Sequence, residues 1–253
     1  MKINYLKCLH IDRLKWRHWV LMALLAIVTA TRLSPTLGSF YTTHVYPAIG
    51  SVLSPVSGLM PFAVGDIFIF LSIVWAVLYP SMKRTKKAVW RVAEYLLWVY
   101  AWFYIAWGLN YSQPNIYRRI GMRPMEVNKA RLKAFAYQYA DSINKLSKWI
   151  SVESEISTCL SKGERMRSEG AILNEYHKMS GFGINVPFNH HPHVKTMVFS
   201  WLSSMAGVTG SMGPFFCEFT LNGDIRPHEY PATYAHEFAH FLGVANEGEA
   251  NFY

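Results

Sequence analysis

Residues 236–240 read His-Glu-Phe-Ala-His, and the reading of this stretch decides the fold. On a helix, positions i and i+4 lie one above the other on the same face, so His236 and His240 point the same way. Two imidazoles so placed can share one Zn²⁺, and Glu237 stands where its carboxylate reaches a water on the metal's open side. The arrangement is the HExxH pattern of metallopeptidases. It names a site and a reaction class, hydrolysis of a peptide bond with Glu237 as general base, and leaves the substrate unnamed.

Outward from the motif, Pro231 suits the first turn of a helix and Gly243 suits its end. Ala235, Phe238, Ala239, Phe241 and Leu242 supply the apolar faces of that helix. A zinc site needs a third protein ligand. Asn246 occupies the place at which a longer HExxHxxGxxH pattern has its third histidine, and asparagine is a poor zinc ligand. The carboxylates just beyond it, Glu247 and Glu249, are the candidates. Either can return to the metal on a second short helix after the Gly243 turn. Glu247 is preferred, because Glu247-Gly-Glu-Ala-Asn251 is similar to the E-x-x-A-D ligand motif of some membrane metallopeptidases.

Upstream, Pro214 to Asn222 reads as a strand closed by an Asn222-Gly223-Asp224 turn. A strand at a sheet edge beside a metal can bind an extended peptide through backbone hydrogen bonds. Glu218 on this strand is the candidate anchor for a substrate amine or backbone group. His190, His191 and His193 form a second histidine cluster, but Pro192 disfavours a helix there and the spacing fits no strong ligand template. Glu126 to Trp149 carries Leu132, Phe135, Ala136, Tyr139, Ile143 and Leu146 at helical spacing and is expected to pack on the core. Lys162 to Met179 reads as a further helix. Of the three cysteines, Cys8 lies in the basic tail. Cys159 and Cys217 can form one bridge in an oxidising compartment or remain two thiols.

The N-terminal half has another character. Half of the 253 residues are hydrophobic and few are charged, which fits a chain partly dissolved in lipid. Three apolar segments, about 17–34, 61–80 and 91–109, are candidate membrane spans. For the first, the competing reading is a signal peptide cleaved near Ala26–Ala30. Asp66 and Glu94 lie near span ends, where interfacial water can solvate them. The residues between the first two segments, 36–60, read as an outer loop rich in Pro, Gly, Ser and Tyr.

The formal net charge is +9, yet residues 110–253 hold 14 Lys/Arg against 13 Asp/Glu. The excess therefore sits beside the apolar segments: Lys2, Lys7, Arg13, Lys15 and Arg17 in the tail, and Lys83, Arg84, Lys86, Lys87 and Arg91 between the second and third. That placement argues against nucleic acid and for membrane orientation. Basic flanks stay inside, so the expected arrangement is a cytoplasmic tail (1–18), a three-span α-helical anchor (19–109) and an extracytoplasmic α+β zincin-like domain (110–253). The cleaved-signal reading leaves that last domain outside as well. The expected partners are the lipid bilayer and a peptide or protein substrate in the cell envelope.

Several stretches together resemble an uncharacterised family of bacterial multi-pass membrane proteins with an HExxH domain, a domain of unknown function. They are Arg32-Leu-Ser-Pro35, Pro61-Phe-Ala-Val-Gly65, Trp107-Gly-Leu-Asn-Tyr111, Lys195 through Asn222, and His236–His240 with Glu247-Gly-Glu-Ala-Asn-Phe252. The resemblance implies a zincin-like domain behind three spans in the bacterial cytoplasmic membrane, and no substrate. Two departures stand out. Phe219-Thr-Leu-Asn222 replaces an Ala-Asn-Val-Asn strand. Family members also run past the EANF segment, so a chain closing at Tyr253 resembles a C-terminally shortened form. A competing reading is a zinc-containing envelope binding or regulatory protein without turnover. An intramembrane protease fits poorly, because His228, Glu229, Asn246 and Glu247 flank the motif closely. A transporter fits poorly too, since three spans are few.

Overall fold

The computed structural model describes residues 15–124, 126, 128–147, 161–179, 184 and 192–253. The chain is mostly helical with one small sheet. Its elements are α1 (Trp16–Leu33), α2 (Pro35–Phe40), a π-helical turn (Tyr41–Val45), α3 (Tyr46–Gly58), α4 (Val64–Lys83) and α5 (Lys86–Ala106). A 3₁₀ turn (Gly108–Ser112) leads to α6 (Ile116–Arg119), α7 (Lys129–Ser147) and α8 (Lys162–Lys178). Then follow β1 (Val194–Thr196), α9 (Ser200–Met205), β2 (Gly210–Gly213), β3 (Glu218–Leu221), α10 (Tyr230–Phe241) and α11 (Glu247–Ala250).

Among the described residues α4 is long and apolar enough to cross a membrane, and only Gly65 of it is buried. Its interior is a run of Ile, Phe, Leu, Val and Trp with Asp66 confined to the first turn, where the helix dipole favours an acid. The α1 helix meets the same criterion only together with residues 35–58, and that pair is bent by 105°. The α5 helix carries Lys86, Lys87, Arg91 and Glu94 in its first half. Glu94 accepts from Arg17 at 2.9 Å, tying α5 to the start of α1.

Residues 36–60 are helical rather than a loop, which corrects the sequence expectation. Pro35 and Pro47 stand in first turns, where proline lacks nothing the helix needs. Tertiary packing overrides the low propensity of the Gly and Ser residues. Tyr46 is fully buried and its hydroxyl donates to Phe241 O at 2.6 Å. One buried cluster joins Val28, Tyr41, Tyr46, Trp107 and Leu109 to Phe219, Tyr234, Phe238 and Phe241, so the N-terminal helices and the α10 region share a core.

The sheet order is β1-β3-β2, with β1 parallel and β2 antiparallel to β3. Both faces of β3 are buried. Phe219 packs against Tyr234 of α10 with ring centroids 4.9 Å apart. The expected strand is thus shorter at its start, and Pro214–Cys217 form a turn. It is central, so the free edge near α10 belongs to β2. Against expectation, α7 does not pack on the core: every described side chain from Lys129 to Lys145 is exposed.

Candidate metal centre

The α10 helix ends in a way that builds half of the site. Gly243 adopts φ +92°, a left-handed backbone that glycine tolerates best. Its N–H donates to His240 O at 2.9 Å and Val244 N–H donates to Ala239 O at 3.0 Å, the paired bonds of a Schellman turn. This turn brings Val244 O back to His240, whose Nδ1 lies 2.6 Å from it. Two side chains from the segment after α5 secure the turn. Trp107 Nε1–H donates to His240 O at 3.0 Å, and Gln113 donates to Gly243 O at 2.6 Å.

The chain then re-enters as α11, with Asn246 Oδ1 capping it by accepting from Glu249 N–H at 3.1 Å. Glu247 in the first turn places Oε2 3.1 Å from His236 Nε2 and 3.4 Å from His240 Nε2. The two Nε2 atoms are 3.1 Å apart. Ligand atoms of His236, His240 and Glu247 all lie within 4.8 Å of one another, the one such group of three among the described residues.

The proton arrangement at these histidines matters more than proximity. His236 Nδ1 faces Asn251 Oδ1 at 2.9 Å, and His240 Nδ1 faces a carbonyl. Both partners are oxygen acceptors, which suits the tautomer with the proton on Nδ1 and the Nε2 lone pair facing Glu247. His/His/carboxylate with a carbonyl or amide behind each imidazole is a donor set suited to zinc.

Glu237 lies on the adjoining face, buried. Burial pushes its carboxyl up to about 8, the nearby Glu247 charge adds to this, and a hydrogen bond from the Met212 backbone opposes it. The β2 strand passes directly over it: a Cβ on Gly210 would sit 2.5 Å from Glu237 Cγ. A cleft of about 480 Å³ opens here, lined among others by Trp107, Tyr111, Gly210, Met212, His236, Glu237, His240 and Glu247.

Two expected site residues stand elsewhere. Glu249 is not beside the histidines: Oε1 accepts from Ile116 N–H and Oε2 pairs with Arg119 Nη2, each at 2.8 Å. Two residues from Glu247 on one short helix, it must face another way. Glu218 does not line the cleft. It is buried, with Lys195 Nζ at 2.6 Å, Val64 N–H at 3.0 Å and Gly65 N–H at 2.6 Å on its oxygens. It closes the N-terminus of α4, where N–H groups lack helical partners. His190, His191 and Cys159 lie outside the described residues, and Cys217 is a free buried thiol.

Asn251 and Arg119 support the cluster from positions that the motif does not include. For Asn251 a signal existed, since it stands four residues after Glu247 and hence above it on one helical face. Arg119 carried none, because its partner is 130 residues away.

Together these features define a mostly helical protein with an apolar, membrane-length helix and a His-His-Glu cluster beside a small sheet. Residues 41–253 match the family described as a protein of unknown function (DUF3810), and the chain belongs to that family. No curated protein and no solved structure matches it.

Proposed function

We propose that the protein is a membrane-anchored zinc metallopeptidase whose zincin-like active site hydrolyses peptide bonds outside the cytoplasm. The observation that carries this reading is the convergence of His236 Nε2, His240 Nε2 and Glu247 Oε2, with an acceptor oxygen behind each Nδ1. Those three groups would hold Zn²⁺. The metal, when bound, supplies Lewis acidity that polarises a scissile carbonyl and acidifies water.

The chain's own groups do the rest. Glu237 takes the proton of the attacking water on its carboxylate and delivers it to the leaving amine. Burial and the Glu247 charge push this carboxyl up to about 8, and a positive charge in the cluster would favour its ionised form. The outer edge of β2 borders the cleft at Gly210, Ser211 and Met212, so an extended peptide can pair along it whatever its sequence, beside the Met212 N–H that bonds Glu237. Trp107 and Tyr111 line the cleft wall and help exclude water.

The anchor in this reading is three-span, formed by α1, α4 and α5. The basic turn between α4 and α5, Lys83 to Lys87, is cytoplasmic, and the cleft is therefore outside.

The test is metal analysis of purified protein together with Glu237→Gln. One equivalent of zinc in both proteins, with peptide hydrolysis only in the wild type, is the expected result. Zinc in both with no cleavage of any peptide library would favour a zinc-containing envelope binding or regulatory protein instead. Absence of stoichiometric zinc would overturn both.

A further inference from the structure

The α7 helix is amphipathic, yet its described side chains from Lys129 to Lys145 are exposed on every face. At about 100° per residue, Leu132, Phe135, Ala136, Tyr139 and Ile143 fall in one stripe roughly 100° wide. In a packed helix such a stripe is covered, yet Leu132 is 58% exposed, Phe135 63% and Tyr139 59%. Phe135 and Tyr139 stack on each other along it, ring centroids 6.0 Å apart. A continuous exposed apolar surface of this kind marks an interaction site.

Charge decides what covers it. Arg131 borders the stripe on one side, and Lys129 and Lys133 border it on the other. The Lys133 ammonium lies 5.7 Å from the centre of the Tyr137 ring. On the opposite face, Lys145 is neutralised by Asp141 at 2.7 Å. Around this helix, then, the margins of the stripe carry Arg131 on one side and Lys129 and Lys133 on the other, and its own acid, Asp141, is on the far face. Two copies meeting stripe to stripe would set like charges against each other, whereas an anionic lipid surface neutralises them. Position agrees: only residues 107–128 separate α7 from α5, which packs beside the membrane-length helix α4.

We infer that α7 lies flat in the interface of an anionic phospholipid bilayer. Its Leu132–Phe135–Tyr139–Ile143 stripe turns into the acyl boundary, and Lys129, Arg131 and Lys133 lie at the phosphates. The helix is a second attachment to the membrane, independent of the metal cluster. It fixes the direction in which the segment carrying Ile116 and Arg119, and hence the cleft, faces the bilayer.

The experiment is hydrogen–deuterium exchange of the full chain in nanodiscs, comparing phosphatidylcholine alone with phosphatidylcholine containing phosphatidylglycerol, at low salt. Amides of residues 130–147 are expected to exchange at least tenfold more slowly in the anionic discs. The difference is expected to vanish at high salt and in the Lys129→Glu/Arg131→Glu/Lys133→Glu variant. Peptides from α8 and α10 should be unchanged in all cases, which shows that the variant is folded. Phe135→Ser, which keeps the charges, should lose most of the protection. Equal exchange in both bilayers overturns the proposal. So does protection that survives charge reversal, which would point to a protein surface as the cover.

Discussion

Arg119 and Glu249 form an ion pair of 2.8 Å with both side chains about one-tenth exposed, and it clamps α11 to the segment that follows α5. The helix it holds is only four residues long and has little stability of its own. Glu247, the carboxylate that faces the histidines, sits on that helix and is itself largely exposed. The position of Glu247 thus depends on a neighbour that points away from the cluster. Arg119→Ala is expected to weaken zinc binding by about 10–100-fold, the usual cost of losing a support behind a metal ligand. Arg119→Lys should restore part of it. Glu247→Ala should cost more than Glu249→Ala. Chelator competition on the purified proteins measures all four, and equal losses for the two glutamates would contradict the geometry.

Asn251 makes the corresponding prediction for the histidine side. Its Oδ1 lies 2.9 Å from His236 Nδ1, an acceptor placed to hold a proton there and leave the Nε2 lone pair for a metal. Asn251→Leu should lower zinc affinity by about 10–100-fold. Asn251→Asp keeps an acceptor at the same place and should bind zinc as tightly or more so. Cobalt substitution offers a second reading, because rotation of His236 would alter the visible absorption of the bound metal.

These supports illustrate what the sequence could reveal. The HEFAH helix, its stop at Gly243 and the two candidate carboxylates were legible because all are local: periodicity, turn chemistry and i,i+4 spacing carry them. Glu218 misled for the converse reason. An acid on a strand beside the HEFAH helix reads as a substrate anchor until Lys195, Val64 and Gly65 are seen to surround it. Residues 36–60 misled because Gly, Ser and Pro signal a loop, while burial of Tyr46 against Phe241 decides for helix. The short motifs Pro61–Gly65, Trp107–Tyr111 and Lys195–Asn222 lie far apart in the chain, but they touch one another or α10 in space.

Lys195 and Glu218 are almost wholly buried and join β1 and β3 to the α3–α4 connection. Lys195 Nζ also donates to Ser57 O at 2.6 Å and Phe62 O at 3.0 Å. Removing one partner leaves an uncompensated buried charge, which costs about 3–5 kcal/mol. Lys195→Met is therefore expected to be strongly destabilising, and Glu218→Gln similarly so. The double variant should recover a large part of the loss. Thermal unfolding in detergent checks this, and additive losses would show that the two side chains act separately.

Cys217 gives a pH prediction. Burial pushes its thiol up to about 12, with the Glu218 charge adding and a Tyr46 hydrogen bond opposing. An unfolded thiol ionises near 8.5 (approximately), so the unfolded state alone releases the proton between those values. The stabilisation is complete below about pH 8.5 and is lost as pH rises toward 12. In a Cys8→Ser/Cys159→Ser background, native protein should resist thiol reagents at pH 8 and react fully once unfolded. Cys217→Ala should show a shallower fall in melting temperature between pH 8.5 and 11. Rapid native labelling would contradict the buried position.

The last prediction separates binding from turnover at the cleft. Gly210 lies where any Cβ would meet Glu237 Cγ at 2.5 Å and Oε1 at 2.7 Å. Neither β2 nor the buried α10 can retreat far, because β2 is paired to β3 over its whole length. Gly210→Ala must then displace the Glu237 carboxylate, whereas His236, His240 and Glu247 are untouched. Zinc content should remain near that of the wild type, while peptide hydrolysis falls at least 100-fold, the scale of a lost general base. Gly207→Ala is the control. That glycine also borders the cleft, but it has open space around its Cα, and its left-handed φ of +71° makes the change a purely backbone strain. It should cost about 1 kcal/mol of stability and leave turnover largely intact. Full activity in Gly210→Ala would show that Glu237 does not work from the position described.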